Sequence, residues 1–174
     1  MTKLLKGGDR IEAVCFDLGD TLVAEETVVH DSSSRAITAR VIDGVFEVLK
    51  AIRKEGYRIG MIANGDSAGC RNIIEATDLK DCFDAIVISE EAGIEKPDKR
   101  IFEVALAKLG VKPENAVMVG NRIDADILGA NSFGMKSVWF RWNSRYNNTI
   151  NSSQEKPDFT INSLSELLDV LALM

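Results

Sequence analysis

Five short apolar runs alternate along this chain with stretches of helical periodicity, and that alternation constrains the fold more than any other feature. The first run, "IEAVCFDL" at 11–18, is bounded by charge and glycine and brings the chain to Asp17, as a buried strand would. From Ser34 to Glu55 the apolar positions Ile37, Val41, Val45, Leu49 and Ile52 recur at three- and four-residue steps, which predicts a helix closed by Gly56. "YRIGMIA" (57–63), "FDAIVIS" (83–89), "NAVMVG" (115–120) and "MKSVWF" (135–140) read as four further strands. Between them fall a helix carrying Ile73 and Ile74, a helix opened by Pro97 and Asp98 and stopped by Gly110, and a helix from Ile123 to Phe133 stopped by Gly134. Ser163 with Glu166 makes a capping box for a last helix.

Strands that are apolar throughout, rather than alternating, are buried on both faces. The expected fold is therefore α/β: a doubly wound, Rossmann-like three-layer αβα sandwich on a mainly parallel sheet. A length of 174 residues suits one hydrophobic core, so the chain reads as a single domain over 1–174. The net charge of -6 argues against broad attraction to nucleic acid or an anionic membrane. Cys15, Cys70 and Cys82 are odd in number, lack metal-type spacing and sit in or beside apolar segments, which fits reduced thiols in a cytoplasmic protein. "MTKLLKGGDR" has too short an apolar stretch for a signal sequence, and no run reaches membrane-spanning length. The sequons at Asn147 and Asn151 carry no weight in that compartment.

Ligands of doubly wound sheets bind beyond the carboxyl ends of the strands. Those positions hold Asp17, Asn64, Ser89 with the following Lys96, and Asn121 with Asp126. Singly, each has an ordinary reading as a turn residue, a solvated lysine or a helix first-turn carboxylate. Placed together they make a phosphoryl-transfer set. A strand-end carboxylate can attack phosphorus once the joint negative charge is neutralised. Mg²⁺ suits that task through Asp17, a nearby backbone carbonyl, and Asn121 or Asp126. Lys96 would meet the phosphoryl oxygens, with Asn64 and the amides around Gly65 as further donors.

At these residues the chain resembles the haloacid dehalogenase-like hydrolase superfamily, most of whose members are Mg²⁺-dependent phosphatases. "FDLGDTLV" looks like its first motif and "MIANGD" its second; "GIEKPDKRIFEVALAKLGVKPENAVMVGN" looks like the third leading into the fourth, which "RIDADILGA" completes. The similarity runs from about Glu12 to Leu168. It implies Asp17 as nucleophile and metal ligand, the carbonyl of Gly19 as a second ligand, and Lys96 as the phosphate-binding cation. Asn121 falls at a metal-binding position, Asp126 at a position supporting the metal waters or the lysine, and Asp124 in reserve. A phosphorylated substrate, small or macromolecular, is the implied partner.

Three departures from that pattern are legible. Ala63 stands where Ser or Thr usually faces the phosphoryl group, and a lost hydrogen bond to a charged group is worth about 1 to 3 kcal/mol, or one to two orders of magnitude in rate. Asn121 replaces an aspartate, which keeps an oxygen and removes a charge. Gly19 replaces the aspartate that serves as acid and base, and Asp20, one residue on, would point off Asp17's face in extended geometry. Losing general acid catalysis forfeits about 10² to 10⁴ in rate, so good leaving groups such as acyl or aryl phosphates are expected. The segment 24–56 is expected to hold the connecting helix and no sizeable cap. An open site of that kind accepts macromolecules or borrows a lid from a second subunit, which admits a homo-oligomer. The polar loop 141–157, with Arg141, Trp142, Arg145 and Tyr146, is a candidate specificity loop, and His30 is not expected in the chemistry. A catalytically degenerate module that binds a phospho-ligand or protein is the alternative, and carbon-halogen hydrolysis ranks behind both.

Overall fold

The computed structural model describes residues 10–174, so the reading of the N-terminal stretch as carrying no leader lies outside the described residues. Six strands form one parallel sheet: β1 (Ala13–Phe16), β4 (Arg58–Ala63), β5 (Ala85–Ile88), β6 (Ala116–Gly120), β7 (Lys136–Phe140) and β8 (Phe159–Ile161). Two more, β2 (Val23–His30) and β3 (Ala36–Val41), pair antiparallel as a separate hairpin. The sheet order is β5-β4-β1-β6-β7-β8. The chain thus builds outward from β1 on one side, then crosses back and builds outward on the other. The reversal beside β1 is where such sheets open a crevice.

Burial explains why the central strands are apolar on both faces. In β1, Val14 and Phe16 enter one core with Leu49 and Ile52 of α1 (Val45–Lys54) and Ile74 of α2 (Ser67–Ala76). Ala13 and Cys15 point the other way, into a second core with Phe102 and Leu106 of α4 (Lys99–Leu109) and Ala130 of α5 (Leu128–Phe133). β6 divides likewise, Val117 and Val119 against Ala116 and Met118. Two layers of helices over a parallel sheet are the three-layer α/β architecture that the sequence predicts. The stop signals hold as well: Gly56, Gly110 and Gly134 all take positive φ just after their helices, and Ser163 and Glu166 form the capping box ahead of α6 (Leu167–Ala172).

The expected helix from Ser34 to Glu55 is only half present. α1 begins at Val45, and its first half is replaced by β3. A four-residue apolar repeat is common to both periods: Ile37 and Val41 are one helical turn apart, yet with Ala39 they also fall on one face of a strand. Pairing decides between them. β3 lies against β2, and Asp31 caps the turn by accepting from the amides of Ser33 and Arg35. The hairpin is tied down at its base by buried Val23 and Ala24, and along β3 by Asn72 of α2, which donates to the Ala36 carbonyl.

β8 also escapes the sequence reading, being three residues long after the polar loop. That loop is fixed at several points: Asn131 donates to the carbonyls of Gln154 and Lys156, and Trp142 donates to the Asp20 carbonyl at 2.6 Å. All three cysteines are free thiols. Among the described residues no helix is long and apolar enough to cross a membrane.

α4 and α5 pack closely enough to exclude a methyl group. A Cβ on Gly129 would lie 2.6 Å from Phe102 Cζ and 3.1 Å from the Pro97 backbone. Replacing an exposed helical glycine by alanine gains up to about 1 kcal/mol, whereas overpacking costs about 1–3 kcal/mol. Gly129→Ala is therefore expected to lower the urea-unfolding free energy despite its better helix propensity.

Candidate active site

β1 delivers Asp17 to the carboxyl edge of the sheet, where its amide continues the ladder by donating to Val119 O at 3.0 Å. The chain segment after α3 (Ser89–Ala92) brings Lys96 beneath it, 4% exposed. The ammonium of Lys96 has three protons and donates to three oxygens: Asp17 Oδ1 at 2.6 Å, Asp126 Oδ1 at 2.7 Å and the Ile62 carbonyl at 2.7 Å. The lysine is saturated by groups that follow or lie in three different strands.

Its position is set by Asn64, whose side chain brackets the Lys96 peptide, accepting from Lys96 N at 2.8 Å and donating to Lys96 O at 2.9 Å. Asn64 borders the cleft, but both ends of its amide are committed to this clamp. Gly65, expected beside the substrate, turns elsewhere: its amide donates to Ser89 Oγ at 3.0 Å, and it lies outside the lining of the cleft. Ala63 is buried without a hydroxyl to offer.

Asp126 sits in a wide helical turn, Ile123–Ile127, that leads into α5. Its second oxygen accepts from Arg122 N at 3.0 Å, so both oxygens are engaged. The carboxyl can fold over the end of β6 only because residue 120 is glycine; a Cβ there would come within 2.5 Å of Asp126 Cβ. Asp124 points away and pairs with Arg122 at 2.6 Å. Asn121 is 6% exposed, and its backbone carbonyl accepts from Trp139 Nε1 at 3.0 Å.

One end of the Asn121 amide lies 3.3 Å from Asp17 Oδ2, 3.2 Å from the Gly19 carbonyl and 3.4 Å from Thr21 Oγ1. With nitrogen inward it donates to both acceptors; with oxygen inward, three oxygens converge on one point. Hard oxygen donors grouped in this way suit a small divalent cation. The local charge agrees, since two buried carboxylates share one ammonium. Burial pushes the Asp17 carboxyl up to about 6 against the pull of Lys96, with Asp126 adding to the rise. Burial works to lower the Lys96 ammonium, but the two carboxylates outweigh it and hold it above the ordinary lysine value.

Asp20, the residue transposed with Gly19, is fully buried at φ 51°. Its carboxylate accepts from Glu25 N at 3.0 Å and Arg145 Nε at 2.6 Å, which fixes the polar loop to the hairpin, and it does not line the cleft. His30 is exposed at the hairpin tip and does not line the cleft. Of the charged and hydroxyl-bearing residues in the lining, Glu25, Arg122 and Tyr146 lay outside the expected catalytic, phosphate-binding and metal set. Tyr146 had a signal in the aromatic and basic loop. Glu25 had none, because the segment that carries it was expected to hold little beyond the connecting helix.

The cleft, about 180 Å³, has Asp17, Lys96 and Asp126 in its lining. Residues 32–134 match the family model described as haloacid dehalogenase-like hydrolase, more than half of the chain. The chain belongs to the haloacid dehalogenase-like hydrolases. It is 39% identical over 132 residues to glyceraldehyde 3-phosphate phosphatase of Pyrococcus furiosus, covering 76% of this chain and 55% of that relative. Pyrimidine 5'-nucleotidase YjjG of Escherichia coli is 38% identical over 131 residues, 75% of this chain and 56% of its own length. The chain thus spans little more than half the length of these relatives. Among solved structures, a HAD phosphatase from Thermococcus onnurineus superposes with a TM-score of 0.78 at 22% identity, covering 92% of this chain and 98% of that one, which shows a shared fold.

In this member of the family the lysine is also a structural linchpin. Lys96→Met leaves two buried carboxylates without their cation and is expected to cost about 3–5 kcal/mol in chemical denaturation at neutral pH. Adding Asp126→Asn should restore part of that loss. Asn64→Ala, which strips the clamp from the Lys96 peptide, is expected to cost about 1–3 kcal/mol in the same measurement.

Proposed function

We propose that this chain is a phosphohydrolase that passes a phosphoryl group through an aspartyl-phosphate at Asp17, with Mg²⁺ beside it. The observation that carries the reading is the engagement of Asp17: Oδ1 is held by Lys96, and Oδ2 borders the same end of the Asn121 amide that the Gly19 carbonyl borders. Asp17 Oδ2, Gly19 O and Asn121 Oδ1 would hold the ion. When bound, it supplies the neutralisation of charge that phosphoryl transfer needs. Asp126, with both oxygens engaged, acts through the lysine and not as a direct ligand.

The chain's own residues then divide the work. Lys96 holds the nucleophile in one orientation and places a positive charge at the floor of the cleft. Asn64 fixes the lysine. A cleft of this size takes a phosphoryl group and leaves most of a leaving group outside, consistent with a single core unit without a sizeable cap. The free thiols support a reducing compartment such as the cytoplasm.

The named relatives support a phosphorylated small molecule as substrate. Glyceraldehyde 3-phosphate is an alkyl phosphate, and its leaving oxygen needs a proton. Neither Gly19 nor the committed Asp20 can deliver one, so through these residues alone acyl and aryl phosphates would be favoured. Ala63 and Asn121 favour a second reading, a degenerate module that binds a phospho-ligand without turnover.

Phosphate release from acetyl phosphate and an aryl phosphate, with and without Mg²⁺, separates the two. Turnover that requires Mg²⁺ and is lost in Asp17→Asn is the expected result. Equal rates in the two proteins would remove the phosphohydrolase reading; thermal stabilisation by phosphate without any release would establish the binding module.

A further inference from the structure

Three carboxyl groups line the cleft: Asp17, Asp126 and Glu25. The first two are tied to the Lys96 ammonium. Glu25 is not. It projects from β2, and its Oε2 accepts from the hydroxyl of Tyr146 at 2.6 Å, with Arg145 Nε at 3.8 Å. Its Oε1 makes no hydrogen bond among the described residues.

The place this carboxyl occupies is defined by Gly19. A Cβ on residue 19 would fall onto Glu25 Oε1 and lie 3.0 Å from both Glu25 Cγ and Cδ. Gly19 has no positive φ, so its backbone does not demand glycine; the space does. Glu25 thus sets its free oxygen directly over the residue whose carbonyl borders Asp17. Tyr146 fixes it from behind. Burial, and then the hydrogen bond to Glu25, push the Tyr146 hydroxyl well above the usual tyrosine value, so it remains a donor. The Arg122 guanidinium lies 4.9 Å from the centre of the Tyr146 ring and braces it.

We propose that Glu25 is the general acid and base of this site, supplied by the hairpin in place of a side chain at residue 19. The inference rests on the phosphohydrolase reading above. In the first half-reaction an Asp17 oxygen bonds to phosphorus and the bond from phosphorus to the leaving oxygen breaks. Glu25, entering as the carboxylic acid, gives its proton to that oxygen and becomes the carboxylate. In the second, water attacks the phosphorus and Glu25 takes the water's proton. The bond between phosphorus and Asp17 then breaks, and phosphate leaves with Asp17 restored as carboxylate and Glu25 as acid. An alkyl phosphate becomes a competent substrate by this route. Tyr146 is a positioning residue in it.

The test compares wild type, Glu25→Gln and Asp17→Asn, each checked for folding by its urea midpoint, on glycerol phosphate and on 2,4-dinitrophenyl phosphate with Mg²⁺. Glu25→Gln is expected to lower kcat/KM about 10²- to 10⁴-fold on glycerol phosphate and less than about 10-fold on the dinitrophenyl ester, whose leaving group needs no proton. The same variant should release dinitrophenol in a burst followed by slow turnover, as the aspartyl-phosphate waits for a base. A double variant, Gly19→Asp with Glu25→Gly, returns a carboxyl to the vacated space and should recover at least about tenfold of the loss. It also carries the test should Glu25→Gln fail to fold. Equal losses on both substrates, or none, with Asp17→Asn still inactive, would overturn the role of Glu25 and leave the phosphohydrolase reading standing. A wild type that releases phosphate from neither ester would overturn both.

Discussion

The ammonium of Lys96 is the contact on which the site and much of the surrounding fold depend. Its three acceptors come from the carbonyl of Ile62 within β4, from Asp17 after β1, and from Asp126 after β6. These strands are neighbours in space, in the order β4-β1-β6, but far apart in the chain. Burying an ion costs several kcal/mol unless its partners are well placed and its remaining protons are satisfied, and here every proton has an acceptor. The residual imbalance, two carboxylates to one ammonium, leaves the cluster one positive charge short of neutrality. Burial pushes Asp17 toward its neutral form; the lysine opposes this and favours the ionised form.

Around that contact, the decisive positions are those where a side chain is missing. Gly120 lets Asp126 lie over the end of β6, and Gly129 lets α5 sit against Phe102 and Pro97, next to the lysine. Gly19 yields its space to Glu25. In each case a carboxyl or a helix enters volume that a methyl group would fill, and interiors are packed too densely for both. The transposition of Gly19 and Asp20 relative to the family pattern is thereby a redistribution of three roles. Residue 19 contributes a carbonyl, Asp20 anchors the polar loop through Arg145 and Trp142, and Glu25 stands over the gap.

Much of this was legible from residue order. Uniformly apolar strands gave the parallel sheet, and the strand-end rule brought out Asp17, Lys96, Asn121 and Asp126, which the structure gathers at one edge. Asn64 and Gly65 were found for a different reason from the one the structure gives. The side chain of the first holds the Lys96 peptide and the backbone amide of the second donates to Ser89, contacts that depend on tertiary neighbours and not on strand-end position. The hairpin stayed hidden because a spacing of four residues belongs to both helix and strand, and only the pairing of β2 with β3 distinguishes them.

Sequence alone determined the layer architecture and the identity of the groups along the carboxyl edge, because strand periodicity and strand-end position are local properties of the chain. Tertiary structure alone decided which of those groups meet. Glu25 and Tyr146 lie 121 positions apart, and Lys96 and Asp17 lie 79 apart. Whether such residues touch is fixed by sheet order, by the fold of one hairpin and by the volume that glycines leave open. None of those is written in the spacing of any single segment.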